Sequence, residues 1–524
     1  MRGADAVIRT LIEAGSGTIF SLSGNHIMPL YDAAFGLPVE LIHARHEGAA
    51  VHMADAWARM TGRVGIAMVT GGPGHANAIG ALLTARAGET PLVLLSGHAP
   101  LAELGNGAFQ ELDQAAMAAP ATKASWTAQA AATVAADVAR AIRIARSGRP
   151  GPVHLSLPSD VLEESIGGTL SSAAFTPEIQ ALPAEAAHRA AALLREAKRP
   201  LIVIPPALCT PSGRAALAPL VALGFPIVPM ESPRGVRDPA LGTWGTVLKQ
   251  ADLVLLLGKA LDFTLGFGKA VAPECRWVVF DPEEELLARA RRLVAPVLAA
   301  QADPLSAIAS LAATGVVASD KGWRVAVAQA LARRPPPAGG NLNSSVLCAS
   351  IDAFLAERGN AVFVSDGGEI GQWAQASIVM PDRIINGVAG AIGPGIPFAI
   401  GAKAAAPDRD VLAVVGDGTA GFHIAEFETA VRNNLPFVAV IGNDGRWNAE
   451  HQIQLRSYGA ARTIGCELGA GTRYDRMAEA VGGFGALVER TEQIEPALRA
   501  AFAANRPACI NVLIEGLPAP IVTA

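Results

Sequence analysis

Short, almost wholly apolar runs recur along the chain. Each is followed by a turn and then by a longer stretch whose apolar positions return every three or four residues. Residues 17–22, 39–43, 64–70, 92–96 and 153–157 are of strand length, and 47–60 and 131–145 carry helical spacing. Runs that are apolar on both faces suit parallel strands covered by helices. The same alternation predicts strands at 200–205, 225–229, 253–258 and 277–281, and again at 362–365, 411–415, 437–441 and 508–513. Two stretches interrupt it. Residues 166–183 are rich in small residues and contain proline, and 333–340 hold three prolines in a row, which no helix continues through. The expected fold is therefore α/β, with three doubly wound domains built on mainly parallel sheets, at 1–165, 184–315 and 341–524. No short sequence repeat relates the three.

Composition narrows the class. With 51% hydrophobic and 17% charged residues among 524, the chain can bury large cores, yet no apolar run approaches the length of a membrane span. A net charge of −5 offers no basic face for nucleic acid or for an anionic membrane. The five cysteines lie far apart without a CxxC or Cys/His spacing, so they read as buried apolar residues in a reducing compartment, not as a zinc site or disulfide framework. Residues 1–10 mix Arg2, Asp5 and Arg9 with apolar positions and lack the apolar core of a signal peptide. A soluble, cytoplasmic protein is expected.

The most informative stretch follows the run at 411–415. It reads Gly416-Asp417-Gly418-Thr419 and leads into a helix. Glycines there let backbone approach a ligand, and the N–H groups of a helix start favour phosphate. Asp417 supplies a hard carboxylate oxygen suited to Mg²⁺ or Ca²⁺. Asn443 lies 26 residues further on, at the end of the next apolar run, where adjacent parallel strands bring their C-terminal ends together. Asn443 and the Gly445 carbonyl are then candidate second and third metal oxygens. Read separately, these are a strand-to-helix glycine turn and an Asn-Asp-Gly turn. No GxxxxGK[ST] motif is present, and no GxGxxG sits between strand and helix, which disfavours P-loop nucleotide hydrolysis and simple dehydrogenase chemistry.

Gly416-Asp417-Gly418 followed by Gly442-Asn443-Asp444-Gly445 resembles the signature of the thiamine-diphosphate (ThDP) enzymes of the acetolactate synthase and benzaldehyde lyase superfamily. Many members have paired asparagines where this chain has Gly442 and Asn443. The similarity extends to His43–Ala50, Thr70–Gly74, Phe109-Gln110, Ala119–Lys123, Gly148–Pro158 and Gly390–Gly395. It implies pyrimidine-binding, central and diphosphate-binding domains in that order, and ThDP with Mg²⁺ as cofactors. It also implies a homodimer or homotetramer whose active sites lie at the subunit interface. It gives Glu47 the role of the carboxyl that hydrogen-bonds N1′ of the cofactor and promotes the tautomer in which the 4′-amino group acts as base. Such a carboxyl works best where burial raises its pKa. Without the resemblance, Glu47 reads as an acidic residue favoured by a helix N-terminus. Ile392 matches the apolar side chain against which the cofactor bends. Pro73, Gly390, Gly416, Gly418 and Thr419 fall at its other cofactor contacts.

Within the superfamily, Phe20–His26 separates subgroups. Acetolactate synthases usually carry Pro and Gly at the positions of Ser23 and Asn25 and no histidine at 26, whereas benzaldehyde-lyase-like enzymes have that histidine. A neutral His26 can bond a substrate hydroxyl and move its proton, and Gln110 can bind the same oxygen. His75 is a further candidate, and Trp373, Arg446 and Trp447 are weaker candidates for shaping the pocket. The short run after the last strand makes a long C-terminal lid of the kind used over acyl-CoA substrates doubtful. FAD, ADP or neither in the central domain stay open. The expected activity is a benzaldehyde-lyase-like lyase or carboligase acting on a small carbonyl substrate: a 2-hydroxy ketone, an aldehyde or a 2-oxo acid. The alternatives are acetolactate synthase or another 2-oxo-acid decarboxylase, a 2-hydroxyacyl-CoA lyase, and a ThDP-binding protein without catalysis.

Overall fold

The computed structural model describes residues 1–167, 174–469 and 471–523; part of the 166–183 stretch therefore lies outside the described residues. Three sheets organise the chain, and every strand pairing in them is parallel. The first holds β1 (Thr18–Leu22), β2 (Glu40–His43), β3 (Gly65–Val69), β4 (Leu92–His98), β5 (Ser125–Thr127) and β6 (Pro152–Pro158), in the order β2-β1-β3-β4-β6-β5. The second holds β7 (Pro200–Ile204), β8 (Ile227–Pro229), β9 (Leu253–Leu257), β10 (Arg276–Asp281) and β11 (Leu298–Gln301), ordered β11-β10-β9-β7-β8. The third holds β12 (Ala361–Ser365), β13 (Arg383–Ile385), β14 (Asp410–Gly416), β15 (Val438–Asn443), β16 (Phe484–Val488) and β17 (Ala508–Leu513), ordered β13-β12-β14-β15-β17-β16. The architecture is α/β with three doubly wound parallel sheets, as the alternation of apolar runs requires. Central strands such as β3, β4, β6 and β9 are buried along their whole length, because helices cover both faces.

The backbone clusters into two compact units. One comprises Met1–Glu178, Ile396–Pro407 and Ala425–Leu435 and contains the first sheet. The other comprises Ile179–Gly395, Asp408–Ile424 and Pro436–Ala524 and contains the second and third. The first and third sheets share one strand order. In each, the second strand of the chain lies on one side of the first, and the remaining strands lie on the other. This topological switch opens a crevice at the strands' C-terminal ends, where open α/β sheets bind ligands. In the first sheet the crevice lies beyond β1 and β3, and in the third beyond β12 and β14. All five cysteines are free, four of them buried. Among the described residues no helix is long and apolar enough to cross a membrane.

Candidate active site

In the unit of the first sheet, β1 runs out at Leu22 into a short 3₁₀ turn, Asn25–Ile27, and β3 runs out at Val69 into Thr70-Gly71-Gly72-Pro73. These are the two sides of the switch point. They meet through His26, whose Nδ1 lies 3.4 Å from Thr70 Oγ1. The His26 side chain is buried, and its ring stacks on Phe109 at 6.0 Å between centroids. Burial lowers its pKa, with nearby His98 adding to the effect, so the imidazole is neutral near pH 7 and able to accept a proton. Phe109 itself is 68% exposed, and next to it Gln110 adopts a left-handed backbone (φ +58°). That backbone closes on Gly72: a side chain at 72 would place its Cβ 2.6 Å from the Gln110 carbonyl oxygen, and Gly72 has a φ of +57°.

Glu47 is buried as the first residue of the helix Glu47–Thr61, after a His46 N-cap whose Nδ1 accepts the Gly48 N–H at 3.0 Å. Its Oε2 accepts from Asn77 Nδ2 at 3.1 Å. Asn77 belongs to the helix Pro73–Ala87, which begins at the exposed Pro73. Two supporting residues were absent from the sequence reading. Glu426 is buried and accepts the Arg45 N–H on both oxygens, at 3.1 and 3.2 Å, and the Thr429 hydroxyl at 2.6 Å; it thereby fixes the turn into Glu47. Gln114 is buried and accepts the Gly72 N–H at 2.8 Å, while its amide donates to the Gly97 carbonyl and to Ser156 Oγ. His75 is not at a surface. It lies wholly buried with Nδ1 2.9 Å from Ser96 Oγ and its ring 4.5 Å from that of His154, and burial lowers its pKa to about 4.

In the other unit, β14 and β15 run in register, so Gly416 lies beside Gly442 and the two chain ends emerge together. Asp417 opens the helix Asp417–His423, and the Thr419 hydroxyl donates to the Gly416 carbonyl at 2.9 Å. A cleft of about 450 Å³, solvent-open mouth included, lies here; Glu369, Ile392, Asp417, Gly418, Asp444 and Trp447 are among its walls. Gly418 admits Trp447: a Cβ at 418 would lie 2.6 Å from the indole. Ile392 stands 39% exposed at the cleft, on a loop that turns at Gly390 (φ +66°). Arg446 also lines the cleft, whereas Trp373 is buried and donates its Nε1–H to the Pro518 carbonyl at 2.9 Å.

The end of β15 differs from expectation in which side chain it offers. Asn443 is buried with both amide hydrogens committed, to the Thr472 carbonyl at 3.1 Å and Asn511 Oδ1 at 3.2 Å. Its own oxygen accepts the Gly445 N–H at 3.2 Å. The Gly445 carbonyl accepts from the Leu468 N–H at 2.7 Å. The side chain that lines the cleft is Asp444, because successive residues of an extended chain point to opposite sides. Burial pushes the Asp417 carboxyl up to about 6, although N–H groups of Gly418, Gly445 and Arg446 face it. Burial, and then the charge of Asp417, push Asp444 up to about 7. The buried Asp417 and the half-buried Asp444 thus place two carboxyls with raised pKa values at one cleft.

Against known proteins, residues 1–117 match the family model described as thiamine pyrophosphate enzyme, N-terminal TPP binding domain, and residues 366–512 match that of its C-terminal TPP binding domain. The chain is 34% identical to the acetolactate synthase large subunit IlvG of Mycobacterium tuberculosis, across 98% of this chain and 96% of that protein. It is 31% identical to 2-hydroxyacyl-CoA lyase 2 of Bos taurus and 30% identical to that of Homo sapiens, in each case across 98% of this chain and 90% of the relative.

Proposed function

The chain belongs to the thiamine pyrophosphate enzyme family, and from that membership and the two half-sites we propose a ThDP- and Mg²⁺-dependent carbon–carbon lyase and carboligase. Its substrates are 2-hydroxy ketones, 2-hydroxyacyl compounds and the aldehydes they release. The observation that carries this choice is His26, buried and neutral at the switch point with Phe109 and Gln110 beside it. Cleavage next to a carbinol needs a base for the hydroxyl proton, and ligation needs the same group as acid.

Bound ThDP supplies an electron sink beside the reacting carbonyl carbon. The chain's own residues do the rest. Glu47, oriented by Asn77, holds a proton or hydrogen bond at N1′ of the cofactor. His26 moves the proton of the substrate hydroxyl, and Gln110 orients that oxygen. Pro73, Gly390, Ile392, Gly416, Gly418 and Thr419 shape the cofactor's bed. The donor set suits Mg²⁺ and a diphosphate: a buried carboxylate, Asp417, and a half-buried one, Asp444, with backbone around them. Among the described residues no group of three His, Cys, Asp or Glu is placed to hold a metal, as a zinc site would require. We assign Asp417 and Asp444 to the metal, and give Asn443 and Gly445 the task of locking the loop beneath it. Residues 1–165, 184–315 and 341–524 are then the pyrimidine-binding, central and diphosphate-binding domains, and Glu47 of one copy completes the diphosphate half-site of a second copy.

The name of one relative, acetolactate synthase, favours a second reading, 2-oxo-acid decarboxylation with ligation, while the 2-hydroxyacyl-CoA lyase names accord with the first. One panel separates the readings. Purified protein with ThDP and Mg²⁺ is offered benzoin, a 2-hydroxyacyl-CoA and pyruvate, and products are identified. Aldehyde released from either of the first two, and lost in Glu47→Gln, supports the proposal. Acetolactate from pyruvate alone replaces it with the second reading. No turnover of any, with Glu47→Gln unchanged in cofactor behaviour, leaves a non-catalytic binding protein. A visible absorption spectrum of the same sample reports bound flavin.

A further inference from the structure

Ile392 faces the cleft of Asp417 and Asp444, and its backbone is gripped from both sides. On one side Asn386 Nδ2 donates to the Ala391 carbonyl at 2.6 Å. On the other, the N–H groups of Gly393 and Gly395 both donate to a single oxygen, Oδ2 of Asp366, at 2.9 Å each. Asp366 is the first residue past β12, and its own N–H is tied to the Val414 carbonyl of β14 at 3.0 Å. The strand pair that delivers Asp417 to the cleft therefore also fixes Asp366. The loop has little freedom to compensate: Gly393 has a φ of +102°, and a side chain there would meet the Phe422 ring at 2.9 Å.

The other oxygen of Asp366, Oδ1, is buried without a hydrogen-bond partner, and burial raises this carboxyl to about 6. An anion so placed is costly. What the side chain supplies to the loop is one acceptor oxygen on which two amides converge.

We propose that Asp366 is a positioning residue: by holding the amides of Gly393 and Gly395 it sets the height at which Ile392 stands over the cleft. This rests on the reading of Ile392 as the side chain against which the cofactor bends. A shift of about 1 Å in such a support is enough to cost on the order of a hundredfold in rate.

The test uses the full chain. In Asp366→Ala without cofactor, hydrogen exchange at the amides of Gly393 and Gly395 is expected to accelerate at least ~10-fold, because local opening no longer breaks the two bonds. With ThDP and Mg²⁺, kcat is expected to fall ~100-fold while cofactor affinity, read from Trp447 fluorescence, holds within a factor of about three. Asp366→Asn keeps an acceptor oxygen and should restore slow exchange and most of kcat. Should Asp366→Ala fail to fold, Asn386→Ala releases the opposite side and should lower kcat in the same direction. Ile392→Ala separates the proposal from the reading beneath it: it should lose kcat with the exchange of Gly393 and Gly395 still slow. Full kcat in Ile392→Ala overturns that reading, and the proposal with it. Loss in Ile392→Ala, with exchange or kcat unchanged in Asp366→Ala, overturns the proposal alone.

Discussion

Replacing Asp444 by Asn removes one charge from the cleft and leaves its shape unchanged. In the wild type, burial pushes Asp417 up to about 6, and burial with the charge of Asp417 pushes Asp444 up to about 7. A divalent cation takes both groups deprotonated. At pH 6 a group with a pKa of 7 is about one-tenth ionised and one with a pKa of 6 about half, whereas at pH 8 both are nearly fully ionised. Apparent Mg²⁺ affinity should therefore weaken about 20-fold from pH 8 to pH 6. Carboxyls at the ordinary value near 4 would give almost no change over that range. In Asp444→Asn only Asp417 titrates, still raised to about 6 by its own burial, so the pH ratio should shrink to about twofold. Absolute affinity at pH 8 should also fall, with one anionic ligand gone. The assay is Mg²⁺ titration at saturating ThDP, followed by the fluorescence of Trp447, whose ring lies against Gly418. The diphosphate itself titrates near pH 6 but does so equally in both proteins, so the comparison between them is the measurement. The sign for stability follows. Raised carboxyls stabilise the cofactor-free chain below pH ~4, and that contribution is lost as the pH rises through 6 to 7. The gain in Tm on adding Mg²⁺ and ThDP should therefore be larger at pH 8 than at pH 6. If Asp444→Asn keeps the 20-fold ratio, Asp444 does not face the metal and the assignment of the two carboxylates fails.

Mixing Glu47→Gln with Asp417→Ala, each inactive alone, should recover about one quarter of wild-type activity. Random pairing makes about half the dimers mixed, and each mixed dimer has one intact site of two; no recovery after subunit exchange refutes sites shared between copies. Glu426→Ala leaves the Arg45 N–H without its buried acceptor and should cost about 2 kcal/mol in urea unfolding; an unchanged midpoint contradicts its role in holding the turn before Glu47. His26→Phe should reduce kcat/KM by about 100-fold or more with cofactor affinity unchanged. Because burial lowers the His26 pKa, its acid limb in the wild type should fall below pH 6.5, and a limb above that value in the wild-type profile would show the imidazole charged.

How much of this could be read in the sequence follows the range of the interactions involved. The apolar runs located every strand covered on both sides, but β5, β11, β13 and β16 were missed. All four are sheet edges, and they carry half-buried residues where central strands such as β3, β4, β6 and β9 are buried throughout. Hydrophobic pattern reports burial, and an edge strand is a strand by its hydrogen bonds more than by its burial. The helix starts at Glu47 and Asp417 were legible for a related reason: a helix start and a glycine turn are local events written in adjacent letters, while the role of Glu47 came only from the family resemblance. Glu426 was not legible, since its partner Arg45 is 381 residues away. Asp444 was hidden by a one-residue alternation at the end of β15, which motif spacing alone does not resolve. The deepest regularity left no trace in the letters at all. The first and third sheets use the same strand order, so each has a crevice at the same place, yet the first puts His26 and Thr70 there and the third puts Asp366 and Asp417. The fold is a common frame that delivers whatever follows its first and third strands to one point. On the proposed assignment, a proton-handling half-site and a metal-and-phosphate half-site on one chain would require only different residues at those two chain ends, and sequence similarity between the two halves is what such a division of labour would erase.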